Sequence, residues 1–82
     1  MTHEQTDAIM EIDRKEDLME EFSSRLAKLI ADSGKTQKQL AIDSGVTEAA
    51  ISRYLHGTRL PNMAAVVKLR DALGCTLDEL VG

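Results

Sequence analysis

Proline, cysteine and aromatic side chains are nearly absent from this chain of 82 residues: Pro61, Cys75, Phe22 and Tyr54 are the whole supply. A lone cysteine excludes an intramolecular disulfide and suits a reducing compartment, so a cytoplasmic setting is expected. A single proline leaves long stretches free to be helical. Long apolar runs are missing as well. The longest, Met63 to Val67, falls far short of the roughly 20 residues that cross a bilayer, and the polar, acidic start lacks the basic-then-apolar pattern of a signal peptide. No membrane partner is expected. Catalytic groupings are also lacking. His3, His56 and Cys75 are scattered without metal-ligand spacing, and no glycine-rich phosphate loop or nucleophile–base pair is visible. The chain is therefore expected to have no catalytic residue, no metal and no cofactor, and not to be an enzyme.

A basic excess is absent too. The net charge of −4 runs against a nucleic-acid partner if the charge is spread evenly, but it is not. Residues 1–21 hold eight acids against Arg14 and Lys15, a net of −6, whereas residues 22–82 are net +2. With charges screened beyond about 8 Å at physiological salt, the local face governs binding more than the total does. The chain is long enough for one core only. Residues 1–17 read as an acidic arm, disordered or loosely helical, and residues 18–82 as the domain.

What is present is helical periodicity with clear punctuation. Leu18, Phe22, Leu26, Leu29 and Ile30 recur on one face of a first core helix, which Gly34 ends. Thr36 followed by Gln39 makes a capping-box pattern that opens a second helix, with Leu40 and Ala41 pointing inward and Gly45 after its end. Thr47 caps a third helix running through Ile51, Tyr54 and Leu55 to His56, and Gly57 stops it. Two short helices with so little chain between them must cross steeply, as in a helix-turn-helix, placed here at residues 36–56. Asn62 caps a fourth helix carrying Met63, Val66, Val67, Leu69, Ala72 and Leu73, which ends at Gly74. Thr76 and Glu79 form a second capping box opening a last turn with Leu77 and Leu80. The fold class expected is all-α, a compact five-helix domain.

The segment "TQKQLAIDSGVTEAAISRYLHGTRLPN" resembles the helix-turn-helix of the lambda-repressor/Cro-like (XRE) regulators, and "VVKLRDALGCTLDEL" resembles their closing helices. The resemblance covers roughly residues 20–81. Its residues also have physical reasons. Ala41 is small where two helices approach, Gly45 suits a left-handed turn, and Leu40, Val46 and Ile51 make a small shared core. Glu48, Ala49 and Ala50 depart from the Gln, Ser or Arg common in the family, as do Tyr54 and His56 from an aliphatic residue and Asn.

The resemblance implies double-stranded operator DNA as partner, with the third helix entering the major groove by its N-terminal end. Thr47, Glu48, Ala49, Ser52 and Arg53 are then the base-reading set. Arg53 can grip guanine O6 and N7, or hold only a phosphate. Glu48 can accept from cytosine N4 or merely complement the helix dipole, and Thr47 can spend its hydroxyl on capping. Gln37, Lys38, Thr58 and Arg59 are the phosphate candidates. The implied assembly is a homodimer, with third helices about 34 Å apart on a pseudo-palindrome and contacts from Leu60, Pro61, Leu77, Leu80 and Val81. Internal packing is the alternative role for Leu77 and Leu80. Tyr54 is expected half-buried with its hydroxyl at the surface, and Cys75 in the core. The expected role is that of a bacterial or phage transcriptional regulator, a repressor rather than an activator. Two rival roles on the same fold are an antitoxin whose acidic arm binds a basic protein partner, and a protein-interaction module without DNA affinity.

Overall fold

The computed structural model describes the backbone of residues 3–82 and the side chains of residues 17–82. Its five helices are α1 (His3–Ser33), α2 (Gln37–Ser44), α3 (Glu48–Leu55), α4 (Met63–Leu73) and α5 (Leu77–Val81), with no strand among the described residues. The all-α architecture is the one the periodicity predicts. The expectation of an acidic arm over residues 1–17 falls on side chains that, Asp17 apart, lie outside the described residues.

One aliphatic side chain from each helix loses all contact with solvent: Leu26 of α1, Leu40 of α2, Ile51 of α3, Leu69 of α4 and Leu80 of α5. Phe22, Val46, Tyr54 and Val66 complete the buried core, and Leu29, Ile30, Ala41, Ala50 and Leu55 pack around it. Such short helices are marginal by themselves in water, so this shared burial is what holds α2, α3 and α5 in place. Phe22 and Tyr54 meet edge to face with ring centroids 6.0 Å apart, a favoured aromatic geometry. Tyr54 is accordingly more buried than expected, at 5% exposure. Leu18 departs the other way. It shares the periodic stripe of α1 yet stays 47% exposed, because the buried core reaches along α1 only as far as Phe22.

The helix ends follow the capping logic closely. Thr36, Thr47, Asn62 and Thr76 each accept a hydrogen bond from a backbone N–H in the first turn of the helix that follows. At Thr76 the box is complete, since Glu79 accepts from the Thr76 N–H at 2.9 Å. At Thr36 only half of it forms. Gln39 turns its amide to Asp43, donating to Oδ1 at 2.8 Å, so its side chain is engaged along α2 instead of reaching back.

Asp43 has a second partner. Lys35, in the turn before α2, donates from Nζ to Asp43 Oδ2 at 2.8 Å and to the carbonyl of Ala72, in the last turn of α4, at 2.7 Å. One ammonium thus ties α2 to a carbonyl that lacks a partner within its own helix. The hydrogen bond from Lys35, and next that from Gln39, hold the Asp43 carboxyl below its ordinary value of 3.8. The folded chain therefore binds this proton less readily than the unfolded one. The contribution to stability is present above the ordinary value and is lost as pH falls through the depressed one. Asp43→Asn is expected to flatten the fall in thermal stability as pH drops below about 5. Parallel melting curves for variant and parent would show that the Lys35–Asp43 pair adds nothing.

Candidate nucleic-acid interface

The turn between α2 and α3 is built from backbone conformation first. Gly45 adopts φ +77°, and its N–H closes α2 by donating to Ala41 O at 2.9 Å. A left-handed residue here reverses the chain at little cost only if it lacks a Cβ. Ser44 Oγ then accepts from the Val46 N–H at 3.1 Å, and Val46 drops into the core between Leu40 and Ile51. Thr47 starts α3 immediately, its hydroxyl oxygen accepting from the Ala50 N–H at 3.1 Å. One left-handed glycine and one buried valine thus make the connection between α2 and α3.

Along α3 the inward positions are Ile51 and Tyr54, fully or nearly buried, with Ala50 and Leu55 half-buried beside them. The opposite stripe leaves Thr47, Glu48, Ala49 and Arg53 exposed. Ser52 lies at its margin, half-buried, with Oγ 3.4 Å from His56 Nδ1. Arg53 has no ion pair among the described residues, so its guanidinium is not committed within the domain.

The far end of α3 is sealed. A helix leaves its last four carbonyls without partners inside itself, and each of these four is taken up. His56 donates to Ser52 O through its backbone N–H at 3.0 Å and through Nδ1 at 2.7 Å. Thr58 donates to Arg53 O through both N–H and Oγ1, at 3.0 and 3.1 Å. Gly57, at φ +73°, donates to Tyr54 O at 3.1 Å. Leu55 O accepts from the hydroxyl of Ser23 on α1. The helix is thus closed at its C-terminal end by its own loop and by α1, with its exposed stripe beginning at the N-terminal end. Ser23→Ala is expected to cost about 1–2 kcal/mol in urea unfolding, since the part-buried Leu55 carbonyl loses its partner. A change under about 0.3 kcal/mol would mean that water replaces the hydroxyl without loss.

Of the phosphate candidates, Gln37 and Lys38 are exposed in the first turn of α2, and Arg59 is exposed beyond Gly57. Thr58 is exposed but engaged within the chain. Its hydroxyl and its N–H both donate to Arg53 O. Its work is to fold the chain back after α3. Leu80 is fully buried in the core, the internal-packing role that is the alternative for it. Leu77 is half-buried against the same core. Leu60, Pro61 and Val81 remain, and they line one groove with Leu18, Glu21, Phe22 and Val66. Cys75 packs half-buried against the core, and burial pushes its thiol upward, away from the reactive thiolate.

Two side chains that shape the site carry no sequence signal. Ser23 sits in an amphipathic helix as an ordinary polar residue, and its partner is 32 positions away. Lys35 reaches Ala72 across 37 positions. In neither case does local spacing point to the contact.

Residues 26–80, spanning the end of α1 through α5, match the helix-turn-helix family. The chain belongs to that family. Among relatives, this helix-turn-helix chain is 38% identical over 61 residues to the cryptic phage CTXphi transcriptional repressor RstR of Vibrio cholerae serotype O1. The alignment takes in 74% of this chain and 54% of that protein, so the chain spans about half the length of the curated relative it matches. No solved structure matches it. Among the described residues, no helix of this family member is long and apolar enough to cross a membrane.

Proposed function

We propose that the chain is the double-stranded-DNA-binding domain of a transcriptional repressor and that it places α3 in the major groove. The observation that carries this reading is the construction of α3. Its buried side is locked by Ile51 and Tyr54, its C-terminal carbonyls are sealed, and Thr47, Glu48, Ala49 and Arg53 are left outward with no ion pair on Arg53 among the described residues. A helix held rigidly from behind, with an uncommitted arginine on its outer side, suits a groove that is read by direct contact. The repressor named above supports the regulatory part of the reading.

Base contacts come from Arg53 first, then from Ser52, Thr47 and Glu48, with Ala49 small enough to let the helix approach a thymine methyl. Thr47 keeps its hydroxyl proton and one acceptor site for this, its oxygen already accepting from the Ala50 N–H. Gln37, Lys38 and Arg59 position the backbone. The groove of Leu60, Pro61 and Val81 is the surface through which two copies join on a two-fold site, and the protein works in the cytoplasm, where its operator lies. Selection of bound duplexes from a random pool tests the reading. A palindromic consensus is the expected outcome, with half-sites one helical turn apart. Recovery of no enriched sequence, together with binding that ignores salt, would overturn it.

A further inference from the structure

α1 continues alongside the end of α3 beyond the limit of the core. Ser23 is fastened to the Leu55 carbonyl, and one turn earlier Met19 and Glu20, together with Asp17, line a surface depression whose other wall is Gly57. This part of α1 thus lies beside Gly57, one residue before Thr58 and two before Arg59 in the chain. The side it brings there is acidic. Asp17, Glu20 and Glu21 are all exposed, and they share a second depression with Ser24. Glu21 lies 3.9 Å from Arg25, while Asp17 and Glu20 have no ion pair among the described residues and leave Arg53 and Arg59 unneutralised.

We propose that Asp17 and Glu20 form an electrostatic guard beside the α3–α4 connection, weakening DNA binding by repelling the backbone that Arg59 attracts. The proposal rests on the reading that α3 and the loop after it face DNA. Gly57 is adjacent in sequence to Thr58 and next but one to Arg59, so Asp17 and Glu20 border the stretch of chain that carries Arg59. Repulsion acts over about 8 Å at physiological salt, which is why position matters more here than total charge. Asp32 serves as the contrast. It lines a depression with Arg25, Lys28, Leu29 and Glu79 near the C-terminal part of α1, away from the connection. Because non-specific affinity comes almost wholly from the backbone, a guard placed here lowers it and leaves discrimination to the bases that α3 reads.

The test compares three proteins on one selected duplex and one unrelated duplex across a salt series. These are the parent, the Asp17→Asn/Glu20→Gln pair and the Asp32→Asn/Asp78→Asn pair, the last matching the charge change at exposed positions in the last part of α1 and the first turn of α5. The guard predicts that Asp17→Asn/Glu20→Gln binds both duplexes about threefold to tenfold more tightly at low salt, with the gain shrinking as salt rises. The control pair should change affinity less than about twofold. Equal gains from both pairs would assign the effect to net charge and overturn the guard. Unchanged affinity in Asp17→Asn/Glu20→Gln, with the parent still binding, would overturn it and leave the DNA reading standing. If the parent itself shows no salt-dependent binding, both fall.

Discussion

Ile51→Ala is expected to lower stability by about 2–5 kcal/mol, the cost of removing a fully buried aliphatic side chain and leaving a cavity. Chains of this size have total stabilities on the order of 5–15 kcal/mol, with small domains at the lower end, so the variant is expected to sit near its unfolding midpoint at modest urea concentrations. Ile51 is the decisive position because it is the fully buried contribution of α3. It lies directly behind the exposed stripe of Thr47, Glu48, Ala49 and Arg53. Its loss therefore loosens both the core and the surface proposed to meet DNA. Ile51→Val, which removes a single methylene, should cost about 0.5–1.5 kcal/mol. Urea unfolding of the two variants checks the ratio. A loss below about 1 kcal/mol for the alanine variant would mean that α3 contributes little to the shared core.

Arg53→Ala is expected to leave the melting temperature essentially unchanged while reducing DNA affinity by about 1–3 kcal/mol, with relaxed preference at one base position. The separation of fold from function follows from the local structure. Thr58 locks the backbone carbonyl of Arg53 through two hydrogen bonds, and these do not involve the side chain. The guanidinium is exposed and free of ion pairs among the described residues. Arg53→Lys should recover part of the affinity and little of the selectivity, since an ammonium cannot form the planar two-donor contact with guanine. Affinity measured against a panel of single-base substitutions decides the matter. A uniform loss across the panel would assign Arg53 to a phosphate.

Much of this architecture was legible from residue type and spacing. Thr47, Asn62 and Thr76 announce the helices they cap, and each does cap in the structure. Gly45 and Gly57 mark reversals that need positive φ, and both have it. Leu40, Val46 and Ile51 could be paired as a core because the turn between them is too short to allow any other packing. The proposed site was legible less evenly. An eight-residue helix with Ile51 and Tyr54 inward leaves only one outer stripe, so the exposure of Glu48, Ala49 and Arg53 followed from periodicity. Thr58 did not follow. Its type and position suit a phosphate contact, and only the path of the chain after Gly57 turns its donors back to Arg53 O.

The sequence by itself determined where α2 to α5 begin and end, which side of α3 faces inward, and where the acidic and basic halves divide; it did not show that α1 starts as early as His3. Each of the features it determined depends on interactions among residues a few positions apart: side-chain caps, left-handed glycines and the 3.6-residue period. Tertiary structure alone decided the rest. It sent Leu80 fully into the core and left Leu60 and Val81 outside, and it drew Ser23 to Leu55 and Lys35 to Ala72. It also set Asp17 and Glu20 against Gly57. These contacts join segments that local rules treat as independent. They come about because five short helices can hide their apolar faces only by packing together, and that packing determines which polar groups meet.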